Sequence, residues 1–316
     1  MNERNRFLGV ELRHLAALEA VGRTRSFGAA ARELGYTQSA VSQQIAHLER
    51  AVGRRLVDRP GGPRRVDLTD AGRLLVRHAD AIVAQLDAAA ADMAALAEGA
   101  AGPLRVGIYQ SVGARILPAL LRRFKADWPR VEVSVREETE AADLLRLLEH
   151  GELDLTFADL PLPEGPFEAE EVLRDPYVLL VQAGSELAQR DTAPPLRELS
   201  GLPLVTWRHV GEPESYLRGR VPDLNIVFRS DDNGTLVGLV AEGLGVAVVP
   251  QLVVNPRNPA YVALPFGNRI PARRLAIVWH RDRYRSPAAE AFAALSHEVS
   301  EASSASAAST SRRRGR

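Results

Sequence analysis

The chain of 316 residues contains no cysteine and a single lysine, Lys125. Without a thiol, disulfide bonds, thiolate metal sites and thiol catalysis are all excluded. The seven histidines include no pair that is three or four positions apart, so we expect neither a metal site nor a catalytic cofactor. No apolar run reaches about 18 residues, and the first residues lack the apolar stretch of a signal peptide. These absences predict a cytoplasmic protein without a membrane partner.

The two ends of the chain carry its positive charge, although the formal net charge is +0. Residues 1–68 hold twelve arginines against seven acidic residues, and residues 301–316 hold four arginines against one acidic residue. The segment between them is therefore acidic. A basic N-terminal unit joined to an acidic body is typical of a DNA-binding domain attached to a separate control domain.

The stretch from Ser26 to Arg50 predicts two short helices joined by a tight turn. Ser26 is a candidate N-cap for the first helix, Gly35 is its candidate end, and Thr37 is a candidate N-cap for the second. The second helix exposes short amide and hydroxyl side chains, which can reach base edges in the major groove of DNA. Within the helix-turn-helix motif from Phe27 to Ala46, the candidate DNA-reading residues are Thr37, Gln38, Ser39, Ser42 and Gln43.

The following segment, residues 53–68, predicts a β-ribbon or wing. Two strand-like stretches, 55–58 and 65–68, flank a Pro-Gly-Gly-Pro tip. The alternative interpretation is a solvated charged loop. In a wing, three arginines are candidates for contacts with DNA phosphates, one of them by entering the minor groove: Arg59, Arg64 and Arg65.

Apolar residues at alternating four- and three-residue steps predict a long helix from Thr69 to about Gly99. A narrow apolar seam of this kind favours a second helix as its partner and therefore a dimer. The alternative is a single amphipathic helix that lies on its own domain. The seam residues are Leu75, Ala79, Ile82, Leu86, Ala89, Met93 and Leu96.

From Leu104 onward the pattern predicts alternating strands and helices, and so an α/β fold class. The first set is a parallel β-α-β-α-β unit with strands at 104–109, 131–136 and 153–158 and helices at 114–128 and 141–150. The second set has strands near 177–181, 204–207, 225–229, 246–249 and 275–279, a helix at 233–241, and a last helix that begins at Ser286-Pro287. The Ser/Ala-rich tail, residues 301–316, is expected to be disordered.

The ends of these strands supply candidates for binding a small molecule. In open α/β sheets, ligands bind beyond the carboxyl ends of the strands, where helix N-termini present N–H groups. Hydroxyl and amide groups there are suited to a polar ligand, and Arg208 is suited to a carboxylate. Each candidate has an alternative role as a helix cap or turn residue. The candidates are Ser111, Val112, Asp159, Thr206, Arg208 and Asn233.

From Val10 to Ala71 the chain resembles the N-terminal domain of LysR-type transcriptional regulators. It departs from that family at Ser39, where the family often has proline, at Gln43, where it often has arginine, and at Val57, where it usually has phenylalanine. The resemblance is carried by Glu11 to Leu15, Ser26-Phe27, Ala30-Ala31, Gln38, Ala40-Val41-Ser42, Gln44-Ile45, Leu48-Glu49, Gly53, Leu56, Arg59, Val66, Leu68-Thr69 and Gly72.

The rest of the chain resembles the effector-binding domain of the same family, which is itself similar to periplasmic solute-binding proteins. The matching stretches are Leu117-Pro118, Gly151 to Asp154 and Val240 to Pro250. The resemblance implies a winged helix-turn-helix domain at 1–68, a dimerisation helix at 69–99 and an effector-binding domain at 100–300. Within that domain it implies subdomain I at about 104–172 and 273–300 and subdomain II at about 173–272.

The implied function is a sequence-specific DNA-binding regulator controlled by a small-molecule effector, frequently an acid in this family. The implied partners are double-stranded DNA, the effector, further copies of the chain as a dimer or tetramer, and RNA polymerase. A solute-binding protein without a role on DNA is the alternative. An enzyme is not expected, because the sequence has no G-x-S-x-G, P-loop or G-x-G-x-x-G motif in the required context.

Overall fold

The structure is a computed structural model of the chain, and it describes residues 9–58, 66–98, 103–209, 211–221 and 223–313. The chain divides into two compact units, residues 1–90 and residues 91–316. The predicted helix-turn-helix lies in the first unit, and the predicted α/β domain lies in the second.

The N-terminal unit is a small helical domain with a two-stranded ribbon. Its core contains Leu18, Val41, Ile45 and Leu48, none of which is exposed to solvent. The elements in chain order are α1 (Leu12–Thr24), α2 (Phe27–Leu34), α3 (Gln38–Val52), the antiparallel strands β1 (Val57–Asp58) and β2 (Asp67–Leu68), and α4 (Asp70–Glu98), which continues beyond this unit.

Side-chain caps at the predicted residues begin the two helices of the helix-turn-helix. Ser26 Oγ accepts a hydrogen bond from the Ala29 N–H at 3.3 Å, and Thr37 Oγ1 accepts one from the Ala40 N–H at 3.2 Å. Gly35 ends α2 in the left-handed conformation with a φ of 70°, which glycine adopts without strain. The predicted N-caps of both helices and the predicted end of the first helix are therefore confirmed.

The two strands of the predicted wing are present, as β1 and β2. The tip of the wing, residues 59–65, lies outside the described residues, and Arg59, Arg64 and Arg65 lie there with it. The base of the predicted ribbon is confirmed, because Val57 pairs with Leu68 and Asp58 with Asp67, whereas the choice between phosphate contacts and a solvated charged loop for the three arginines is not tested.

The predicted apolar seam lies on α4 and is buried only in the first part of the helix. Thr69 Oγ1 caps the helix by accepting a hydrogen bond from the Gly72 N–H at 3.0 Å. Leu75 and Ala79 pack against the core of the N-terminal unit, so the alternative interpretation is correct for these first turns. Farther along, the seam is open to solvent, as shown by the exposed fractions of Ile82 (45%), Leu86 (47%) and Met93 (61%). Ala89 is also exposed, and the side chain of Leu96 lies outside the description.

The first sheet of the C-terminal unit has the strand order β4-β3-β5-β12-β6. Strand β3 runs parallel to β4 and β5, as predicted, whereas β12 runs antiparallel to β5 and β6. The strands are β3 (Leu104–Ile108), β4 (Val133–Glu137), β5 (Leu155–Leu160), β6 (Phe167–Asp175) and β12 (Arg273–His280), and the helices are α5 (Gln110–Arg115), α6 (Leu117–Asp127), α7 (Ala141–Glu149) and α10 (Pro287–Arg313). The predicted single helix at 114–128 is two helices, because Pro118 lacks an N–H and is accommodated only in the first turn of a new helix.

The second sheet repeats this strand order. Strand β7 lies between β10 and β11, β8 runs parallel to β9, and a parallel bridge from Leu204 to Val246 joins the two groups. The order is therefore β9-β8-β10-β7-β11. The elements are β7 (Tyr177–Gln182), β8 (Leu204–Trp207), α8 (Glu212–Arg218), β9 (Ile226–Ser230), α9 (Asn233–Ala241), β10 (Ala247–Pro250) and β11 (Tyr261–Pro265).

The chain crosses between the two sheets twice. The first crossing lies at Pro176, between β6 and β7, slightly later than the expected boundary at about 172. The second crossing precedes Arg273, where β12 begins, as expected. These crossings leave a cleft between subdomain I, which contains the first sheet, and subdomain II, which contains the second.

The tail from residue 301 differs from the expectation. We expected disorder, but α10 continues as a helix to Arg313. Composition explains the difference, because residues 301–313 contain several alanines and neither glycine nor proline. Alanine has the strongest intrinsic helix propensity, and serine tolerates a helix that is already nucleated.

Candidate functional site

A polar surface on α3 is the first candidate site. Thr37, Gln38, Ser39 and Gln43 are exposed, and Ser42 is half-buried. Thr37 has a structural role as well, because its hydroxyl caps α3 and lies 3.0 Å from Ser39 Oγ. The buried apolar face of the helix fixes the direction in which these side chains point.

Two further residues contribute to this surface without having been identified in the sequence. Tyr36, in the turn before α3, is 45% exposed and adjoins the polar face. Glu49 holds the base of the wing on α3, because its Oε1 accepts hydrogen bonds from the N–H groups of Leu56 at 2.8 Å and Val57 at 3.3 Å. One carboxylate therefore fixes the position of the base of the wing relative to α3.

The cleft between subdomains I and II is the second candidate site. It has a volume of about 130 Å³ and is lined by residues of both subdomains. Tyr109 and Tyr177 are buried in its walls, and burial raises the pKa of both phenols, so both remain neutral hydroxyl groups. Trp207 is half-buried, and its Nε1 donates a hydrogen bond to Asn233 Oδ1 at 3.0 Å.

Arg273 is the central charged residue of the cleft. Its Nη2 donates hydrogen bonds to Asp175 Oδ2 at 2.7 Å and to Ser111 Oγ at 3.2 Å, and its Nε lies 3.8 Å from Asp159 Oδ1. Burial by itself would lower the pKa of Arg273, but the carboxylates of Asp175 and Asp159 outweigh burial and raise it. The guanidinium therefore remains charged although only 7% of the residue is exposed.

Asp159 lies in a mixed electrostatic environment. Burial raises the pKa of its carboxyl group, and the negative charges of Glu212 and Asp175 raise it further, whereas Arg273 acts in the opposite direction. Asp159 Oδ1 and Arg273 Nε are buried atoms without a hydrogen-bond partner among the described residues. The floor of the cleft therefore has hydrogen-bonding capacity that the described protein groups do not use.

A clasp joins the two subdomains across the cleft. Gln110, at the start of α5 in subdomain I, accepts a hydrogen bond at Oε1 from the Asn233 N–H at 3.0 Å. Its Nε2 lies 3.4 Å from Asp232 Oδ2, and Asp232 also caps α9 by accepting from the Thr235 N–H at 2.6 Å. One amide side chain therefore connects the N-terminal ends of α5 and α9.

The structure brings together three of the six predicted ligand-binding residues, Ser111, Asp159 and Asn233. Val112 does not line the cleft, because its side chain is completely buried in the core of subdomain I. Thr206 lines a smaller hollow instead and contacts Glu214 at 3.5 Å. Arg208 is outside the lining and forms an ion pair with Asp231 at 2.7 Å.

The prediction missed several residues that form the cleft. Tyr109 is the last residue of the predicted first strand and lies two positions before Ser111, so the strand-end rule should have included it. Arg273 and Tyr177 each begin a strand, where that rule gives no signal. Glu212 begins a short helix that was not predicted. Within the described ranges, no group of three His, Asp or Glu residues could hold a metal ion, and no helix is long and apolar enough to span a membrane.

Two family models match the chain. The "LysR substrate binding domain" covers residues 97–301, and the "bacterial regulatory helix-turn-helix protein, lysR family" covers residues 12–73. The regulator YcgK of Bacillus subtilis is 30% identical over 304 residues, which are 88% of this chain and 91% of YcgK. A probable hydrogen peroxide-inducible genes activator of Streptomyces viridosporus is also 30% identical, over 91% of this chain and 94% of that protein.

Solved structures share the fold of the chain. A Corynebacterium glutamicum OxyR C206 mutant aligns with a TM-score of 0.60 at 26% identity over 95% of each chain. Full-length CbnR in complex with its target DNA has the same fold, with a TM-score of 0.64 at 22% identity over 93% of this chain and 99% of CbnR. The alternative of a solute-binding protein without a role on DNA receives no support, because the helix-turn-helix model matches as well. The chain belongs to the LysR family of transcriptional regulators.

Proposed function

We propose that the protein binds an inverted-repeat operator as a dimer, reads bases with α3, and responds to a small molecule in the cleft. The observation that carries the proposal is the polar, exposed face of α3 on a firmly packed helix. Amide groups such as those of Gln38 and Gln43 pair with adenine edges, and hydroxyl groups such as that of Ser42 accept or donate as the base requires. Arginines of the wing then supply contacts with phosphates.

The exposed part of α4 supports a dimer. Ile82, Leu86 and Met93 lie on one face and are each more than two-fifths exposed. Apolar residues spaced in this way are buried when a second helix packs against them. A dimer would present two α3 helices to two half-sites, which is why an inverted repeat is the expected target.

The cleft supports control by a ligand. It lies between two subdomains connected by two crossing segments, and its walls combine aromatic rings with charged groups, as small-molecule sites do. The clasp through Gln110 already bridges the two walls. A ligand that contacts both walls would favour one relative orientation of the subdomains, and this difference in affinity is what shifts a conformational equilibrium.

The signal proposed here is a bound molecule and not the oxidation of a thiol. Two relatives carry names that refer to induction by hydrogen peroxide. This chain contains no cysteine, so it has no thiol that peroxide could oxidise. We therefore expect treatment with dilute peroxide to leave its DNA binding unchanged.

Selection of bound sequences from a random pool of duplex DNA, followed by footprinting, tests the proposal. The expected result is an enriched inverted repeat that is protected over both halves. Affinity should fall steeply with salt concentration, because each phosphate contact releases counterions. Binding that depends on salt but enriches no sequence would contradict base reading by α3.

Substitutions separate base contacts from phosphate contacts. Ser42→Ala or Gln43→Ala should weaken specific binding by roughly 1–3 kcal/mol and leave binding to random DNA nearly unchanged. Arg64→Ala should weaken binding to all sequences and reduce the salt slope by about 1. Gln189→Ala removes an exposed amide from the C-terminal unit and should change neither quantity. Equal losses on specific and random DNA for all three of the first variants would refute this division of roles.

A further inference from the structure

We infer that the ligand of the cleft is a small organic cation, such as a protonated amine, and not a carboxylic acid. The inference depends on the proposed function, because it assigns the chemistry of the ligand that the cleft binds. It rests on the balance of charge around the cleft, on how the single arginine is used, and on the aromatic walls.

Acidic groups dominate the lining. Four carboxylates line the cleft against one guanidinium, that of Arg273. Two of the four have an arginine partner at the rim, since Glu138 pairs with Arg136 at 2.8 Å and Asp231 pairs with Arg208 at 2.7 Å. Asp159 shares Arg273 with Asp175, and Glu212 has no arginine partner among the described residues, so together they leave the interior negative.

The charge of Arg273 is largely compensated before any ligand binds. It forms a 2.7 Å ion pair with Asp175, and the two side chains are 8% and 1% exposed. Its remaining charge faces Asp159 at 3.8 Å. A carboxylate that displaced Asp175 from Nη2 would leave a buried carboxylate uncompensated, which is strongly unfavourable. A carboxylate that approached the unused Nε would instead be repelled by Asp159, which lies 3.8 Å from that atom. Arg208, the other candidate for an acid, does not line the cleft.

Asp159 and Glu212 leave negative charge for a ligand to compensate, because the only arginine that faces Asp159 among the described residues is Arg273, which is already paired with Asp175. Asp159 Oδ1 is a buried atom that accepts no hydrogen bond from any described residue. Glu212 is exposed at the rim, and within the described ranges its carboxylate has no hydrogen-bond or ion-pair partner. A protonated amine has several N–H donors and a full charge, so it can satisfy one carboxylate directly and attract the other.

The aromatic residues favour the same class of ligand. Tyr177 and Trp207 line the wall of subdomain II, and Tyr109 lines the wall of subdomain I. A cation within about 6 Å of an aromatic ring is attracted by the negative face of the ring. Arg273 already occupies such a position at 6.0 Å from the centre of the Tyr109 ring. The rings of subdomain II therefore remain for the ligand, and the cleft volume of about 130 Å³ restricts it to a small molecule.

A series of probes with matched chain length tests the sign of the charge directly. Cadaverine, pentanediol and glutarate share a five-carbon chain and differ in carrying cationic, neutral or anionic ends. Each is titrated into the full-length protein by calorimetry, with agmatine and choline as further cations. We expect at least one of the three cations to bind and glutarate not to bind, and binding should weaken with added salt.

Two variants locate the binding. Glu212→Gln changes an exposed rim residue without affecting the core, and it should weaken cation binding by about tenfold or more. Asp159→Asn should weaken it by a similar factor. Glu186→Gln is the matched control, because it removes the same charge from an exposed position in subdomain II outside the cleft. It should leave the affinity unchanged.

Three outcomes would overturn the inference: no cation binds at millimolar concentration, Glu186→Gln weakens binding as much as Glu212→Gln, or glutarate binds and Glu212→Gln strengthens its binding. The last outcome would leave the proposed function intact, since the cleft would still bind a ligand. The proposed function itself is judged by the selection of DNA sequences, which needs none of these probes.

Discussion

The buried ion pair at the floor of the cleft leads to a quantitative prediction for Arg273→Met. Methionine fills a similar volume but leaves the Asp175 carboxylate buried without its cation. Removing one partner of a buried pair typically destabilises a protein by about 3–5 kcal/mol. We expect a loss in this range for the C-terminal unit, because both side chains are more than nine-tenths buried.

The neighbouring arginine provides the control. Arg274 pairs with Glu171 at 2.7 Å, but the two side chains are 49% and 25% exposed. Water screens an exposed pair, so Arg274→Met should reduce the free energy of unfolding by less than about 1 kcal/mol. The two variants make the same chemical change at adjacent residues, and they differ in whether the strand directs the side chain into the cleft or into solvent.

A second substitution tests whether the uncompensated charge causes the loss. Asp175→Asn removes the charge and keeps Oδ1, which accepts a hydrogen bond from the Leu252 N–H at 3.1 Å. The double variant that combines Arg273→Met with Asp175→Asn should therefore be more stable than the single variant Arg273→Met. In Arg273→Met, the folded-state pKa of Asp175 lies above its unfolded value, so the penalty is present at neutral pH and shrinks as the pH falls.

Urea unfolding followed by tryptophan fluorescence measures these differences. All three tryptophans of the chain, Trp128, Trp207 and Trp279, lie in the C-terminal unit, so the signal reports on that unit alone. Equal losses of unfolding free energy for Arg273→Met and Arg274→Met would refute the role of burial. A double variant that is no more stable than Arg273→Met would refute the role of the uncompensated Asp175 charge.

Three further changes have defined outcomes. Gln110→Ala should accelerate amide hydrogen exchange at Asn233, because it removes the acceptor of that N–H; unchanged exchange would mean that the clasp is not closed in solution. Leu86→Glu should convert a dimer into a monomer in sedimentation experiments, whereas Arg77→Glu on the opposite face of α4 should not; a dimer that survives Leu86→Glu would exclude the seam as the interface. Burial, followed by the charge of His47, lowers the pKa of His14 below 6.5, so the N-terminal unit should lose stability as the pH falls below about 6.5. His14→Gln should retain the acceptor for the Glu11 N–H and flatten this pH dependence in thermal unfolding followed by circular dichroism; an unchanged profile would exclude His14 as its cause.

The helix-turn-helix could be predicted because its determinants are local. The caps at Ser26 and Thr37 and the end at Gly35 each involve residues within three or four positions of one another. The proposal that α3 reads bases followed from side chains on one face of that same helix. Glu49 was missed because the N–H groups that it binds lie seven and eight residues away, on a strand whose position depends on the fold.

The elements that the sequence did not predict are those whose stability comes from distant partners. Strand β6 contains four acidic residues among its nine positions, and acidic residues are depleted in strands. It is a strand because β12 pairs with it across about a hundred residues of sequence. Helix α8 has only seven residues, and its buried Glu214 is held by Arg218 and Arg229 at 2.7 and 2.8 Å. One of these partners lies fifteen residues away on β9, so no short window of sequence contains the reason for its burial.

The ion pair at the floor of the cleft lies where the subdomains are joined, and this explains why its role was not visible in the sequence. Arg273 and Asp175 are directly opposite each other in the antiparallel pairing of β12 and β6. Asp175 is the last residue of β6 before the chain enters subdomain II, and Arg273 is the first residue of β12 after it returns. The pair therefore ties the two crossing segments together at the point where the chain passes between the subdomains. Because Asp159 faces the same guanidinium, the cation proposed above would bind next to this ion pair, and the proposed response of the subdomains to a ligand would act through these two crossing segments.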